Sequence, residues 1–178
     1  MDILFVRHGQ TDWNVQKKVQ GLVNIELNET GINQAENARG LLEKENIDLI
    51  ICSPLKRTIQ TANIINKNKK IELIIDDRII ERDFGEFEGV NKEEFNFGDF
   101  WSYDKNIKYK KAENIQNFFK RVYAFLDDLN QKYSDKKILL VSHGGVSIPV
   151  RCYFEGIPQR ETLLGIGAKN CEIKRYKK

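Results

Sequence analysis

Short apolar runs recur along the chain, each closed by turn formers or charged residues, and stretches with apolar positions at helical spacing lie between them. The runs predict strands at about residues 2–7, 48–52, 71–75, 137–142 and 171–176, the last at a sheet edge. The first predicted helix runs from about Gly31 to Glu45, on Ile32, Ala35, Ala38, Leu41 and Leu42. A second covers 55–66. The longest covers 114–133, with Ile115, Phe118, Phe119, Val122, Phe125, Leu126 and Leu129 as a core-facing stripe. The last covers 145–155. Asp76 to Ala112 is less regular. Such alternation predicts an α/β fold with a mostly parallel sheet covered by helices on both faces. No linker, repeat or low-complexity tract divides the chain, and 178 residues suit one domain, 1–178.

Charge and cysteine content narrow the function classes. A net charge of +3 is too small to imply nucleic-acid binding, and no nucleic-acid motif accompanies the Lys67-Asn68-Lys69-Lys70 and Lys108-to-Lys111 clusters. The Lys177-Lys178 end reads as a solvated tail. No apolar stretch approaches a membrane span, and Met1-Asp2-Ile3 already begins the first strand, leaving no room for a leader. Cys52, Cys152 and Cys171, odd in number and widely spaced, fit a reducing, cytoplasmic setting and neither a disulfide framework nor a zinc site. Cys52 reads as a small buried residue.

The candidate chemistry gathers at strand ends. The only two histidines, His8 and His143, follow the runs Ile3–Val6 and Ile138–Val141, in Arg7-His8-Gly9 and Ser142-His143-Gly144-Gly145. Open α/β sheets place their ligand crevice there. A lone histidine beside a strand is more often structural, but two in matching contexts point to a site. A third run, 48–52, leads into Ser53-Pro54-Leu55-Lys56-Arg57. Ser53 suits a helix N-cap and Pro54 the first helical position, which would put Arg57 in the first turn. Gly9 and Gly144-Gly145 would let backbone amides approach a ligand. Two arginines, two histidines and a helix N-terminus suit an anion, and phosphate best.

In these blocks the chain resembles the histidine phosphatase superfamily, the phosphoglycerate mutase-like family. The resemblance starts at Arg7-His8-Gly9-Gln10-Thr11-Asp12-Trp13-Asn14 and passes through Gln20-Gly21, Leu27-to-Gly31 and Ser53-to-Ala62. It continues in Glu81-Arg82-Asp83-Phe84-Gly85-Glu86-Phe87-Glu88-Gly89 and closes at Ser142-to-Val146. It implies the phosphoglycerate mutase-like fold with a small cap, at about residues 90–113, where substrate specificity would reside.

Phosphoryl-transfer chemistry suggests roles that the resemblance also implies. A neutral imidazole with one ring nitrogen held by an acceptor is a competent nucleophile, and His8 is the candidate. Arg7 and Arg57 would supply forked donors to the phosphoryl oxygens, with His143, protonated when phosphate is bound, completing the clamp. No metal motif is evident, and neither metal nor cofactor is expected. Residue chemistry leaves Glu81, Asp83, Glu86 and Glu88 as competing proton donors; the resemblance selects Glu81. It also implies Asn14 and the Gly144 amide as phosphate contacts.

Mutases of this family resemble one another in a long basic insertion, and the 62 positions between Glu81 and His143 are short for it. The expectation is therefore a phosphomonoesterase acting on a small-molecule phosphate ester. A broad-specificity enzyme and an α-ribazole-phosphate phosphatase fit the chain's length better than a fructose-bisphosphatase-like one. The alternatives are mutase-type transfer and an inactive phospho-ligand binding module. Phe95, Phe97, Phe100, Trp101, Tyr103 and Tyr109 could line a substrate pocket, though packing suffices to explain most of them. The chain departs from the family pattern at Asn24, Phe87 and Ala112-Glu113-Asn114.

Overall fold

A computed structural model describes residues 1–177. Five strands, β1 (Asp2–Arg7), β2 (Leu49–Cys52), β3 (Leu73–Ile75), β4 (Lys137–Ser142) and β5 (Ile173–Lys177), form one sheet in the order β3-β2-β4-β1-β5. Only β5 is antiparallel, at the edge beside β1. The helices are α1 (Asp12–Val15), α2 (Glu29–Leu41), α3 (Lys56–Asn66), α4 (Ile115–Lys132) and α5 (Ser147–Glu155).

Alternate strand residues feed two cores, as the pleat requires. Leu4, Val6, Ile50, Cys52, Leu139 and Val141 pack with Ala38, Leu42, Ala62 and Ile65 around α2 and α3. Ile3, Phe5, Ile51, Ile138 and Leu140 pack with the stripes of α4 and α5. The whole predicted stripe of α4, from Ile115 to Leu129, is buried, each large side chain contributing about 1.5–3 kcal/mol.

The predicted boundaries shift for local reasons. Helix α2 starts before Gly31 because the Asn28 side chain caps it, accepting from the Gly31 N–H at 2.9 Å. It ends at Leu41, with Leu42 as its C-cap. Ala35, Ala38 and Leu42 form its buried stripe, while Ile32 (43 % exposed) and Leu41 (72 %) fall beside it. Ser53 does not cap α3, and Pro54 does not begin it: the N-cap is Leu55, and Asn24 from another loop accepts the Lys56 N–H at 2.7 Å. Helix α5 begins at Ser147, after a turn through Gly144–Val146. Lys177 is no free tail but pairs with Asp2 in β5, and Lys178 lies outside the described residues. Among the described residues no helix is long and apolar enough to cross a membrane.

Candidate active site

Strand order brings the site together. Strand β4 lies between β2 and β1, with Cys52 beside Val141 and Arg7 beside Ser142 in parallel register. The residues that follow three neighbouring strands, Ser53, His143 and His8, therefore meet at one edge. The ring centroids of His8 and His143 are 5.3 Å apart, nearly edge to face.

His8 is oriented from within its own turn. Nδ1 lies 2.7 Å from the Gly9 carbonyl, which accepts its proton. The ring is thereby held with Nε2 free of any hydrogen bond among the described residues, and His8 lines a pocket of about 210 Å³. Burial, then the Arg57 and Arg7 charges, push its pKa well below the ordinary histidine value. Gly9 has a different task from the one its sequence suggests. Its N–H donates to Thr61 Oγ1 at 3.1 Å, and a Cβ there would fall 2.3 Å from the Gly31 carbonyl oxygen. It permits close packing of α2, not ligand contact.

His143 is fully buried behind His8 and does not line the pocket. Ser53 Oγ lies 2.6 Å from its Nε2, while Nδ1 is buried without a protein partner. Burial and the nearby Arg57 charge hold His143 neutral in the unliganded site, since its pKa is also driven well below the usual value.

Both arginines line the pocket with donors unspent. Arg7 gives Nη1 to the Ala168 carbonyl at 3.1 Å, and Arg57 gives Nη1 and Nη2 to the carbonyls of Val23 and Gly21 at 2.7 and 2.8 Å. Each retains a buried Nε with no protein acceptor, an arrangement suited to an incoming anion. Burial lowers the pKa of Arg57 to about 10, still cationic at neutral pH.

Of the four competing carboxylates only Glu81 lines the pocket. The backbone N–H groups of Arg82 and Gly145 donate to Oε1 and Oε2 at 2.9 and 3.0 Å. Arg121 of α4 fixes this segment from behind, donating to the carbonyls of Arg78, Ile80 and Glu81 while its fork grips Glu113. Asp83 is spent on the Gly85 N–H and Glu88 on a distant loop.

Asn14 and Gly144 also line the pocket. Asn14 closes a capping box with Thr11 and its Oδ1 accepts the Thr11 N–H at 3.1 Å, leaving Nδ2 for a ligand. Gly144 lies against Arg7.

Sequence reasoning missed several wall residues. Lys18 and Lys92 line the pocket without a carboxylate partner among the described residues, Lys18 over the Trp13 ring at 5.6 Å and Lys92 over Phe97 at 5.1 Å. Burial and Arg7 lower the Lys92 pKa. Neither lysine stands in a recognisable phosphate motif; the bridge Lys18↔Asn91 and backbone hydrogen bonds such as Lys92 N–H to the Lys17 carbonyl bring the two segments together. Of the aromatic segment, Phe97 and Trp101 reach the pocket. Phe95, Phe100 and Tyr109 cluster around Phe87, and Tyr103 packs on Phe119. Buried Arg82, ringed by Phe84, Phe100 and Trp101, donates to the carbonyls of Glu113 and Phe100 and ties that cluster to Glu81. No group of His, Cys, Asp and Glu side chains among the described residues is arranged to hold a metal ion.

Comparison with known proteins identifies the family and the fold. The profile of the histidine phosphatase superfamily (branch 1) matches residues 3–177. An uncharacterized phosphatase, PhoE, of Bacillus subtilis is 39 % identical over 142 residues, covering 80 % of this chain and 71 % of its own. Phosphoserine phosphatase 1 of Hydrogenobacter thermophilus is 32 % identical over 158 residues, covering 85 % and 74 %. The crystal structure of phosphoserine phosphatase from Entamoeba histolytica in complex with 3-phosphoglyceric acid superposes with a TM-score of 0.84 at 28 % identity, covering 98 % of this chain and 89 % of that one.

Proposed function

The chain is a histidine phosphatase, a member of branch 1 of that superfamily, and we propose that it hydrolyses small phosphomonoesters through a phosphohistidine formed on His8. The observation that carries the reading is the His8 ring, pinned at Nδ1 by the Gly9 carbonyl, with Nε2 free in a pocket walled by Arg7 and Arg57. Nε2 attacks phosphorus as the P–O bond to the alcohol breaks, and Glu81 gives the leaving alkoxide its proton. Water then attacks the phosphohistidine, passing a proton to Glu81, and inorganic phosphate leaves. Arg7, Arg57 and His143 balance the charge on the equatorial oxygens, with Asn14 Nδ2 and the Gly144 amide as further contacts. A phosphoryl dianion beside His143 raises its proton affinity, so the clamp becomes cationic on binding.

The substrate belongs to the same proposal. The ammonium groups of Lys18 and Lys92, without a carboxylate partner among the described residues, suit an ester with a second anionic group, of which O-phosphoserine is one, ahead of α-ribazole phosphate, whose only anionic group is the phosphate. Segment 90–113 acts as the cap, contributing Phe97 and Trp101 to the wall. A cytoplasmic setting accords with three free cysteines.

The test is turnover with labelled substrate and a rapid quench into alkaline denaturant, which preserves a phosphoramidate. We expect inorganic phosphate release, an acid-labile adduct on His8, and a loss of about a thousandfold or more in His8→Ala. An adduct-free but active His8→Ala enzyme overturns the mechanism. Isomerisation of a phosphoglycerate without phosphate release makes the chain a mutase, and no turnover on any ester makes it a binding module.

A further inference from the structure

Arg57 is set by a loop, and the loop is set by one carboxylate. Two donors of the Arg57 guanidinium are committed to the Gly21 and Val23 carbonyls. The opposite side of that loop offers the N–H groups of Leu22 and Val23, and both donate to Glu88, at 2.8 Å to Oε1 and 3.1 Å to Oε2. Glu88 Oε1 also accepts the Phe84 N–H at 3.3 Å, from the segment that carries Glu81. The Gly89 N–H donates to the Val19 carbonyl at 2.8 Å, so the two segments are joined beside this carboxylate as well. Gly21 has φ +51°, and a Cβ there would fall 1.9 Å from Glu88 Oε1. The loop backbone thus accommodates the carboxylate only because residue 21 has no side chain.

We propose that Glu88 is a positioning residue of the reaction: by gripping the Gly21–Val23 loop it aims the Arg57 guanidinium at the phosphoryl group. This inference rests on the phosphatase reading above. A carboxylate accepting two adjacent N–H groups fixes the Gly21–Leu22 peptide plane, whose carbonyl accepts from Arg57, and anchors the backbone of Val23, whose own carbonyl orients the same guanidinium. An amide in place of Glu88 turns one donor towards an N–H and frees the loop. Misplacement of a transition-state contact by about 1 Å costs on the order of a hundredfold in rate.

The experiment is a double-mutant cycle of Glu88→Gln and Arg57→Ala in the full chain, on p-nitrophenyl phosphate, with thermal unfolding of all four proteins. We expect Glu88→Gln alone to lower kcat about ten- to a hundredfold, and to lower it less than about twofold when Arg57 is already alanine. Independent, multiplying losses overturn the proposal, because a merely structural carboxylate would weaken both backgrounds alike. Full activity in Glu88→Gln overturns it too. If Glu88→Gln does not fold, the same cycle is run with Gly21→Ala, whose methyl group displaces the carboxylate. Failure of the phosphatase reading has a separate signature: Arg57→Ala then matches the unsubstituted enzyme before Glu88 is touched.

Discussion

Ser53 Oγ lies 2.6 Å from His143 Nε2, and this contact links the ends of β2 and β4 at the base of the pocket. When the hydroxyl donates, Nε2 is the acceptor and the ring proton sits on Nδ1, the nitrogen with no protein partner. With Ser53 as donor, the tautomer that can donate to a phosphoryl oxygen is the one favoured. Ser53→Ala leaves a buried ring nitrogen unsatisfied, a cost of about 1–3 kcal/mol. We expect the melting temperature to fall by roughly 2–4 °C for each kcal/mol lost, together with kcat. Unchanged melting and unchanged kcat would show that the hydroxyl sets neither the fold nor the tautomer.

Acid should unfold the unliganded protein through the same two rings. Burial and the arginines hold both histidines neutral well below their unfolded pKa, which is near 6.5. Below that pH the unfolded chain takes up protons that the folded chain refuses, so stability is present above about 6.5 and is lost as pH falls. The slope approaches about 1.4 kcal/mol per pH unit for each ring. Urea unfolding in phosphate-free buffer between pH 7 and 5 measures it, and His8→Asn should remove about half. A flat profile would mean that the buried rings are protonated in the folded state.

The strand ends were legible in the chain because β-branched runs closed by Arg-His-Gly and Ser-His-Gly need no tertiary information to read. Their adjacency was not legible: it depends on β4 inserting between β2 and β1, a choice of strand order that no local pattern encodes. The same limit explains Ser53, whose composition suits an N-cap but whose hydroxyl turns to His143 because Asn24 serves α3. Asn24 is one of the departures from the family pattern, and it retains an oxygen acceptor. Lys18, Lys92 and Arg121 escaped because a lysine or arginine in a polar loop or on a helix looks solvated until its neighbours are known. Of the four competing carboxylates, Glu81 is the one that lines the pocket, and Glu88 is held by a loop.

Lys92 should select for charge on the substrate. Its ammonium lines the pocket above the Phe97 ring, without a carboxylate partner among the described residues. A matched pair, 3-phosphoglycerate and glycerol 3-phosphate, differs at one end by a carboxylate against a hydroxymethyl group. Lys92→Met should lower kcat/KM for the acid about tenfold or more, as expected for a lost charge-assisted hydrogen bond, and leave the neutral-ended ester nearly unchanged. Equal losses on both would assign Lys92 to the phosphoryl clamp beside Arg7.

Glu81 as proton donor makes a claim about leaving groups. Its carboxylate is fixed over the pocket by the N–H groups of Arg82 and Gly145, so Glu81→Gln retains an acceptor for one of these and removes the transferable proton. An alkyl phosphate departs as a strongly basic alkoxide and needs that proton in the transition state; nitrophenolate departs without it. Glu81→Gln should therefore depress alkyl phosphate hydrolysis about a hundredfold or more and p-nitrophenyl phosphate hydrolysis much less. Arg57→Ala removes charge stabilisation that both reactions use, and its losses should be similar on the two substrates. The deciding quantity is the ratio of the two rates within each variant. Equal losses in Glu81→Gln would confine Glu81 to positioning or to the water step, and a selective loss in Asp83→Asn or Glu86→Gln would move the acid there.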